Sequence, residues 1–124
     1  MTDKPFVILY VEDNDYIREA FAELLDAPAR RIVAVADSAG AREALRAEAV
    51  DLLMTDINLP DGSGLDLARE ALRQNPALPV IVCSGHDLRA VAESLGPTAH
   101  PMRKPVDLDD LEALIDRIAK RAAG

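Results

Sequence analysis

The sequence predicts a doubly wound α/β fold, in which a parallel sheet carries helices on both faces. Short apolar runs of strand length alternate with longer segments whose apolar residues recur at helical spacing. Several of these runs are apolar without interruption, which is typical of parallel strands buried on both sides. The chain has 124 residues, and we expect residues 1–124 to form one domain.

The first unit begins with Phe6–Val11, a continuous apolar run that predicts a buried strand. Four polar residues end this run, and the last of them, Asp15, is suited to cap a helix. That helix is indicated by apolar residues at helical spacing, namely Ile17, Phe21, Leu24 and Leu25. Pro28 stops it.

The second unit is shorter. Residues 32–36 predict a strand that follows two arginines, Arg30 and Arg31. Asp37 or Ser38 then caps an alanine-rich helix. The inner face of this helix is predicted to consist of Ala41, Ala44 and Leu45.

The third unit contains the stretch around which the chain is organised, residues 51–67. Its apolar run ends at a carboxylate, Asp56. A loop with Pro60, Gly62 and Gly64 follows, and a helical pattern then runs from Leu65 to the stop at Asn75-Pro76. A charged side chain at the C-terminal end of a strand lies where open α/β sheets place their sites.

The last two units complete the alternation. Residues 80–83 predict the fourth strand, which stops at Ser84-Gly85. The fourth helix is marked by Leu88, Val91, Ala92 and Leu95. Residues 100–103 have the weakest strand pattern and lead to Lys104-Pro105. Asp107 caps the final helix, whose apolar face is Leu108, Leu111, Leu114, Ile115 and Ile118.

Five strands that alternate with five helices predict a parallel sheet with right-handed crossovers. The compact arrangement is the flavodoxin-like three-layer sandwich with strand order 2-1-3-4-5, whose site lies between strands 1 and 3. Glu12 and Asp13 follow the first strand, and Asp56 follows the third. The fold therefore predicts that these three carboxylates share one crevice.

Composition excludes several classes of protein. The formal net charge is −8, and basic residues form no cluster larger than a pair, such as Arg30-Arg31 and Lys120-Arg121, so we expect no direct contact with nucleic acid. A single cysteine, Cys83, excludes an internal disulfide and suits a reducing compartment. No signal peptide and no run of membrane-spanning length is visible, so we expect a cytoplasmic protein without membrane insertion.

Three carboxylates in one crevice repel one another, by about 4 kcal/mol per pair at 4 Å and an effective dielectric constant near 20. A cation relieves this repulsion, and oxygen ligands without His or Cys favour Mg²⁺ over Zn²⁺. Ser84 and Lys104 lie at the same rim and are suited to hold phosphate oxygens. Singly, Ser84 fits a turn, Lys104 a solvated charge and His86 a loop position. Together, these residue types favour a functional site.

In this order and spacing, the residues resemble the receiver domains of two-component response regulators, and the resemblance covers essentially the whole chain. The motifs that carry it are Glu12-Asp13, Asp56 within Asp-Ile-Asn-Leu-Pro-Asp-Gly-Ser-Gly, Ser84-Gly85 and Lys104-Pro105. The resemblance implies that Asp56 is the residue phosphorylated by a histidine kinase or histidine phosphotransfer protein.

The resemblance also implies a role for each neighbouring residue. Mg²⁺ is bound by Glu12, Asp13, Asp56 and the backbone carbonyl of Asn58. Ser84 bonds to the phosphoryl group, Lys104 pairs with it, and the bond before Pro105 is cis. Asn58 and His86 flank the path of the water that attacks the phosphoryl group, and therefore tune dephosphorylation.

The sequence departs from the family pattern at three places. Ser84 stands where threonine is common, and Val106 where an aromatic often follows the Lys-Pro pair. Pro101, with His100 beside it, occupies the position of the usual switch aromatic, and the link from Gly96 to Lys104 is one residue longer than usual. We therefore expect residues 85–87 and the start of the fourth helix to respond most to phosphorylation. The predicted partner surface is Leu88, Arg89, Ala92, Met102 and Arg103.

Three functions remain open from the sequence. The leading one is a stand-alone receiver that binds a downstream protein or relays phosphate, because the chain begins at a plausible natural start and ends shortly after the last helical pattern. The second is a receiver module cut from a hybrid kinase or a larger response regulator. The third is a phosphatase-like hydrolase with Asp56 as nucleophile. No second acid–base residue is placed for hydrolysis, so we expect a phosphoacceptor that assists its own modification rather than an enzyme.

Overall fold

The structure, a computed structural model, describes residues 4–123. In chain order its elements are β1 (Phe6–Val11), α1 (Asp15–Leu25), β2 (Arg30–Val35), α2 (Ser38–Ala47), β3 (Leu52–Asp56), β4 (Asn58–Leu59), β5 (Gly62–Ser63), α3 (Gly64–Gln74), β6 (Val80–Ser84), α4 (Arg89–Leu95), β7 (Ala99–Arg103) and α5 (Leu108–Ala123). Between residues 4 and 123, no helix is both long and apolar enough to cross a bilayer.

Five parallel strands form the central sheet in the order β2-β1-β3-β6-β7. This confirms the predicted doubly wound topology, in which the order reverses between β1 and β3. The register aligns Val11 with Thr55 and Asp56 with Cys83. The carboxyl ends of the central strands therefore meet at one edge.

Two apolar layers cover the sheet. Residues of α2, α3 and α4 pack with one face, which includes Leu9, Leu53 and Val82. Residues of α1 and α5 pack with the other face, which includes Ile8, Met54 and Ile81. Because both faces are covered, the central strands β1, β3 and β6 are buried almost throughout, as their apolar runs predicted.

The helix predicted after the first strand is present, but its apolar face is narrower than its pattern indicates. Leu25 is fully buried, and Phe21 packs against the ring of Tyr10 with centroids 6.4 Å apart. Ile17 and Leu24 are 42% and 54% exposed, so they lie outside the core. Residues four apart, such as Phe21 and Leu25, lie on one face of the helix, and these two side chains pack in the core between α1 and the sheet.

Several element boundaries differ from the predictions. Asn14, and not Asp15, caps α1, since its Oδ1 accepts a hydrogen bond from the amide of Ile17 at 3.0 Å. The second strand starts at Arg30, two residues earlier than predicted, and the side chain of Arg30 pairs with acidic residues of α5, Glu112 and Asp116.

The loop after Asp56 is more ordered than the sequence indicated. It contains a short antiparallel hairpin of β4 and β5, and α3 then begins at Gly64 with Ser63 as its cap. Its tip is tied to α2, because the carboxylate of Asp61 accepts hydrogen bonds from the amides of Ser38 at 2.8 Å and Ala39 at 3.0 Å. The tip of the loop that follows the candidate acceptor is therefore held against α2.

Candidate functional site

Three carboxylates lie at the edge where β1 and β3 end. Glu12 and Asp13 follow β1 directly, and Asp56 is the last residue of β3. One carboxylate oxygen from each residue lies within 4.8 Å of those of the other two. Glu12 and Asp56 are 3% and 8% exposed, whereas Asp13 is exposed. The structure thus brings the predicted acidic residues together at the predicted crevice.

Lys104 reaches into this cluster from the end of β7. Its Nζ lies 2.7 Å from Oδ1 of Asp56 and 3.5 Å from Oε1 of Glu12. Its amide donates a hydrogen bond to the carbonyl of Ser84 at 2.8 Å, and the Lys104–Pro105 peptide bond is cis. Burial lowers the pKa of Lys104, but the hydrogen bond and charge of Asp56, together with Glu12, raise that pKa above its ordinary value. Lys104 is therefore a fixed positive charge at the acceptor.

One lysine does not balance three carboxylates. Burial raises the pKa of Glu12 to about 7, with a further increase from Asp56, while the amide of Asn14 and the charge of Lys104 oppose the shift. At neutral pH Glu12 therefore holds a proton for part of the time. A divalent cation bound here would displace that proton, and the all-oxygen donor set of Glu12, Asp13 and Asp56 fits a hard ion such as Mg²⁺.

The backbone at Asp56 is fixed by close contacts that the sequence analysis did not single out. Thr55 Oγ1 donates a hydrogen bond to the carbonyl of Asp56 at 2.9 Å, and the amide of Gly64 donates to the carbonyl of Ile57 at 2.6 Å. A Cβ at position 64 would lie 1.8 Å from the carbonyl oxygen of Asp56, so only glycine fits there. The two glycines of the Gly-Ser-Gly sequence in this loop are the feature from which a close approach of the backbone to Asp56 could have been predicted.

The other predicted site residues lie at the rim. Ser84 ends β6, and its Oγ accepts a hydrogen bond from the amide of His86 at 3.2 Å. Within residues 4–123, no hydrogen bond joins Ser84 to Asp56. His86 and Asn58 are exposed. The roles predicted for these three residues at the acceptor stay predictions.

An apolar cavity of about 160 Å³ opens beside the carboxylates. Its charged end is lined by Glu12, Asp56 and Lys104, and its apolar wall includes Phe21, Met54 and Val106. Tyr10, which is 4% exposed, lines the same cavity. Burial raises the pKa of Tyr10, and the charges of Glu12 and Asp56 raise it further. Val106 leaves this space open, since an aromatic side chain at that position would be larger.

Fewer residues of the predicted partner surface are exposed than the sequence indicated. Leu88 and Ala92 are 9% and 4% exposed, because both belong to the core beneath α4. Met102 is partly buried against the opposite core, while Arg103 is exposed, as alternation along a strand requires. Arg89 is exposed and pairs with Asp87 at 2.8 Å. Of the predicted partner surface, Arg89 and Arg103 are therefore the exposed residues that a partner can reach.

Comparison with known proteins places this geometry in a family. A family model described as the response regulator receiver domain matches residues 8–116. The chain belongs to this family. Receiver domains of this kind are signalling modules of two-component systems, and the fold, the acidic edge and the position of the lysine agree with that assignment.

The receiver is similar to parts of longer regulators. It is 32% identical over 119 residues to the response regulator protein PmrA of Pseudomonas aeruginosa, which covers 94% of this chain and 54% of that protein. It is 30% identical over 113 residues to the DNA-binding transcriptional regulator NtrC of Escherichia coli (strain K12), which covers 90% of this chain and 24% of that protein. The receiver thus spans about a quarter to about half of the length of these relatives.

Solved structures show the same fold. The receiver superposes on a response regulator receiver protein from Pseudomonas putida with a TM-score of 0.81 and 30% identity, covering 94% of this chain and 99% of that one. It also superposes on the chemotaxis response regulator CheY4 of Vibrio cholerae with a TM-score of 0.81, covering 93% of this chain and 99% of that one. At 18% identity, the second match supports the fold alone.

Proposed function

We propose that this receiver accepts a phosphoryl group on Asp56 from a histidine kinase or a histidine phosphotransfer protein. The observation that carries the proposal is the contact between Asp56 and Lys104. An almost buried carboxylate stands at the end of a central strand, with a lysine 2.7 Å from its Oδ1 and two further carboxylates beside it. This arrangement positions a nucleophile and compensates the charge that arrives with phosphate.

The transfer forms one bond and breaks one. A carboxylate oxygen of Asp56 attacks the phosphorus of a phosphohistidine, the P–N bond breaks, and the imidazole leaves and takes up a proton. The product is an acyl phosphate on Asp56. Phosphoryl transfer depends on positioning and on charge neutralisation more than on acid–base groups, and Lys104 supplies a fixed cation for that purpose.

The proposed Mg²⁺ ligands are the carboxylates of Glu12, Asp13 and Asp56 with the backbone carbonyl of Asn58. When bound, Mg²⁺ neutralises charge on the phosphoryl oxygens. The donor chemistry fits this ion because every side-chain ligand is a carboxylate. Glu12 then has a second role, since giving up its proton couples metal binding to pH.

Residues at the rim are proposed to control how long the phosphoryl group persists and how its presence is signalled. Ser84 would turn its hydroxyl from the amide of His86 toward the phosphoryl oxygens. Asn58 and His86 flank the approach of water and tune hydrolysis of the acyl phosphate. The segment from Gly85 to Asp87 would follow Ser84 and alter the start of α4.

The output is proposed to be phosphorylation-dependent binding of a downstream protein, without direct contact with nucleic acid or membrane. Residues 1–124 would act as one receiver domain. Whether it works alone or as a module of a hybrid kinase or larger regulator is decided by its reading frame. The coverage of its relatives supports the module as the second candidate, since the matched regions are parts of longer proteins.

Intact-mass spectrometry tests the acceptor. Incubation with acetyl phosphate and Mg²⁺ should add one phosphoryl group to the wild type and none to Asp56→Asn. Asp66→Asn, which removes an exposed carboxylate of α3, is the matched control and should be labelled like the wild type. Equal labelling of Asp56→Asn and wild type would contradict the proposal. A screen of purified histidine kinases for rapid transfer then identifies the donor.

A further inference from the structure

The last turns of α5 concentrate cationic side chains that lack acidic partners. Most arginines of this acidic chain form ion pairs, among them Arg30 with Glu112 and Arg42 with Glu70. Among the residues that the structure describes, Arg117, Lys120 and Arg121 form none. Residues three and four apart share one face of a helix, so these cations lie together and repel one another.

These arginines border a crevice between α5 and the start of β7. Its lining is His100 from β7 and Leu114, Arg117, Ile118 and Arg121 from α5, around a volume of about 140 Å³. A wider hollow of about 380 Å³ shares His100, Ile118 and Arg121 and is otherwise lined by Ala77, Pro79, Pro97, Thr98 and Ala122. No acidic residue lines either space. The crevice therefore combines an apolar floor with a cationic rim.

His100 lines this crevice and is half-buried. Burial lowers the pKa of its imidazole, and the charges of Arg121 and Arg117 lower it further. At neutral pH the imidazole is uncharged, and the two guanidinium groups set the charge of the site. Favourable interaction with the carbonyl end of α5 explains cations in its last turn, but it does not explain their convergence with a histidine on an apolar crevice.

We propose that the crevice between β7 and the last turns of α5 binds an acidic segment of a partner protein. Guanidinium groups match carboxylates through paired hydrogen bonds. The Cβ atoms of Arg117 and Arg121, one helical turn apart, are separated by about 5–6 Å. Alternate residues of an extended peptide are about 6–7 Å apart on one face. Two acidic residues at alternate positions therefore match the arginines, and an apolar residue at the next alternate position reaches the hollow.

Two further features select this class of partner. A polyanion such as nucleic acid or an anionic membrane is disfavoured, because the chain carries a net charge of −8 and the site offers only a few cations. Strand addition at the edge of the sheet is disfavoured as well, since Pro101 removes a backbone donor from β7. The remaining mode is recognition of a short segment, with acidic and apolar residues, by the side chains that line the crevice.

This site is separate from the phosphorylation crevice. His100 lies in β7 and precedes Lys104, the residue directly after that strand, by four positions, which is about 13 Å at the rise of a parallel strand. Binding therefore does not require a phosphoryl group on Asp56. Failure of Asp56 as acceptor would leave this proposal standing, and the variant Asp56→Asn should bind the segment as tightly as the wild type.

The test titrates the full ¹⁵N-labelled chain with the peptide acetyl-Glu-Ser-Glu-Ser-Leu-amide at constant ionic strength. Saturable amide shifts are expected at His100, Arg117 and Arg121. The double variant Arg117→Gln/Arg121→Gln should weaken binding about tenfold, because it removes the charge-assisted hydrogen bonds to the carboxylates of the peptide. The control Lys4→Gln/Arg73→Gln removes the same charge from exposed positions that form no ion pair within residues 4–123, and it should change affinity less than about twofold.

Four results would overturn the proposal. The first is the absence of shifts around the crevice at millimolar peptide. The second is equal binding of the neutral peptide acetyl-Gln-Ser-Gln-Ser-Leu-amide, and the third is an equal loss of affinity in the control variant. The fourth is an equal or stronger response of the same residues to inorganic phosphate or to a short DNA oligonucleotide. Binding of the acidic peptide alone, lost with the two arginines, supports it.

Discussion

Replacing Asp13 with asparagine should stabilise the metal-free receiver and weaken its response to Mg²⁺. Lys104 contacts the carboxylates of Asp56 and Glu12 at 2.7 and 3.5 Å, but it forms no ion pair with Asp13. Within residues 4–123 no ion pair includes Asp13, which therefore adds an uncompensated negative charge to the crevice. Because Asp13 is exposed, removing that charge costs no buried contact.

The magnitude follows from the separation of the oxygens. Two unit charges at 4.8 Å, the upper limit of the separations among these oxygens, repel by about 3.5 kcal/mol at a dielectric constant of 20 and by about 0.9 kcal/mol at 80. Exposure of Asp13 favours the lower limit, so Asp13→Asn should raise the free energy of unfolding by about 1 kcal/mol. For a domain of this size, the melting temperature should rise by about 3–5 °C.

Urea denaturation followed by circular dichroism, in buffer with EDTA, measures this change. Asp109→Asn is the matched control, because Asp109 is an exposed aspartate in the first turn of α5. That control should lose a few tenths of a kcal/mol, since an acidic residue there favours the helix dipole. When the measurement is repeated over a series of Mg²⁺ concentrations, the added Mg²⁺ should stabilise the wild type and barely stabilise Asp13→Asn. A less stable Asp13→Asn in EDTA would show that Asp13 supports the fold instead.

Four further outcomes are expected. In metal-free buffer the free energy of unfolding should fall by up to about 3 kcal/mol between pH 5 and pH 8, because the pKa of Glu12 is near 7 when folded and about 4.5 when unfolded. Glu12→Gln should flatten this fall, and an unchanged slope would argue against a proton held on Glu12. His86→Ala should change the decay rate of phospho-Asp56 and leave Mg²⁺ affinity unchanged, and an equal decay rate would make His86 an ordinary loop residue. Beryllofluoride should shift the amides of residues 85–87 and the start of α4 most, whereas large shifts confined to Ala99–Arg103 would contradict that path. Arg117→Gln/Arg121→Gln should raise the pKa of the His100 imidazole in an NMR titration, and an unchanged pKa would place the arginines away from it.

The fold and the acidic crevice could be predicted because both follow from local patterns. Continuous apolar runs mark strands that are buried on both faces, and alternation with helices then determines a parallel, doubly wound sheet. Once the order of strands is known, Glu12 and Asp56 must meet, since each follows a strand at the reversal of that order. The position of Lys104 at the same edge follows in the same way.

Other features depend on tertiary geometry that a single sequence does not contain. The exposure of Ile17 and Leu24 reflects how α1 sits on the sheet, which helical spacing alone does not determine. Burial of Leu88 and Ala92 reflects the rotation of a short helix whose apolar pattern is compatible with either core or surface. The link from Asp61 to α2 joins residues 23 positions apart in sequence, and no local signal indicates it.

Chemical trapping of the acyl phosphate is the most direct test of Asp56 as the acceptor. Borohydride reduces an aspartyl phosphate to homoserine, and tandem mass spectrometry of the digested protein locates the modified position. After phosphorylation with acetyl phosphate and Mg²⁺, homoserine should appear at position 56 and at no other aspartate. Homoserine at position 13, or a phosphorylated protein that yields none, would contradict the assignment of Asp56 as the phosphoacceptor.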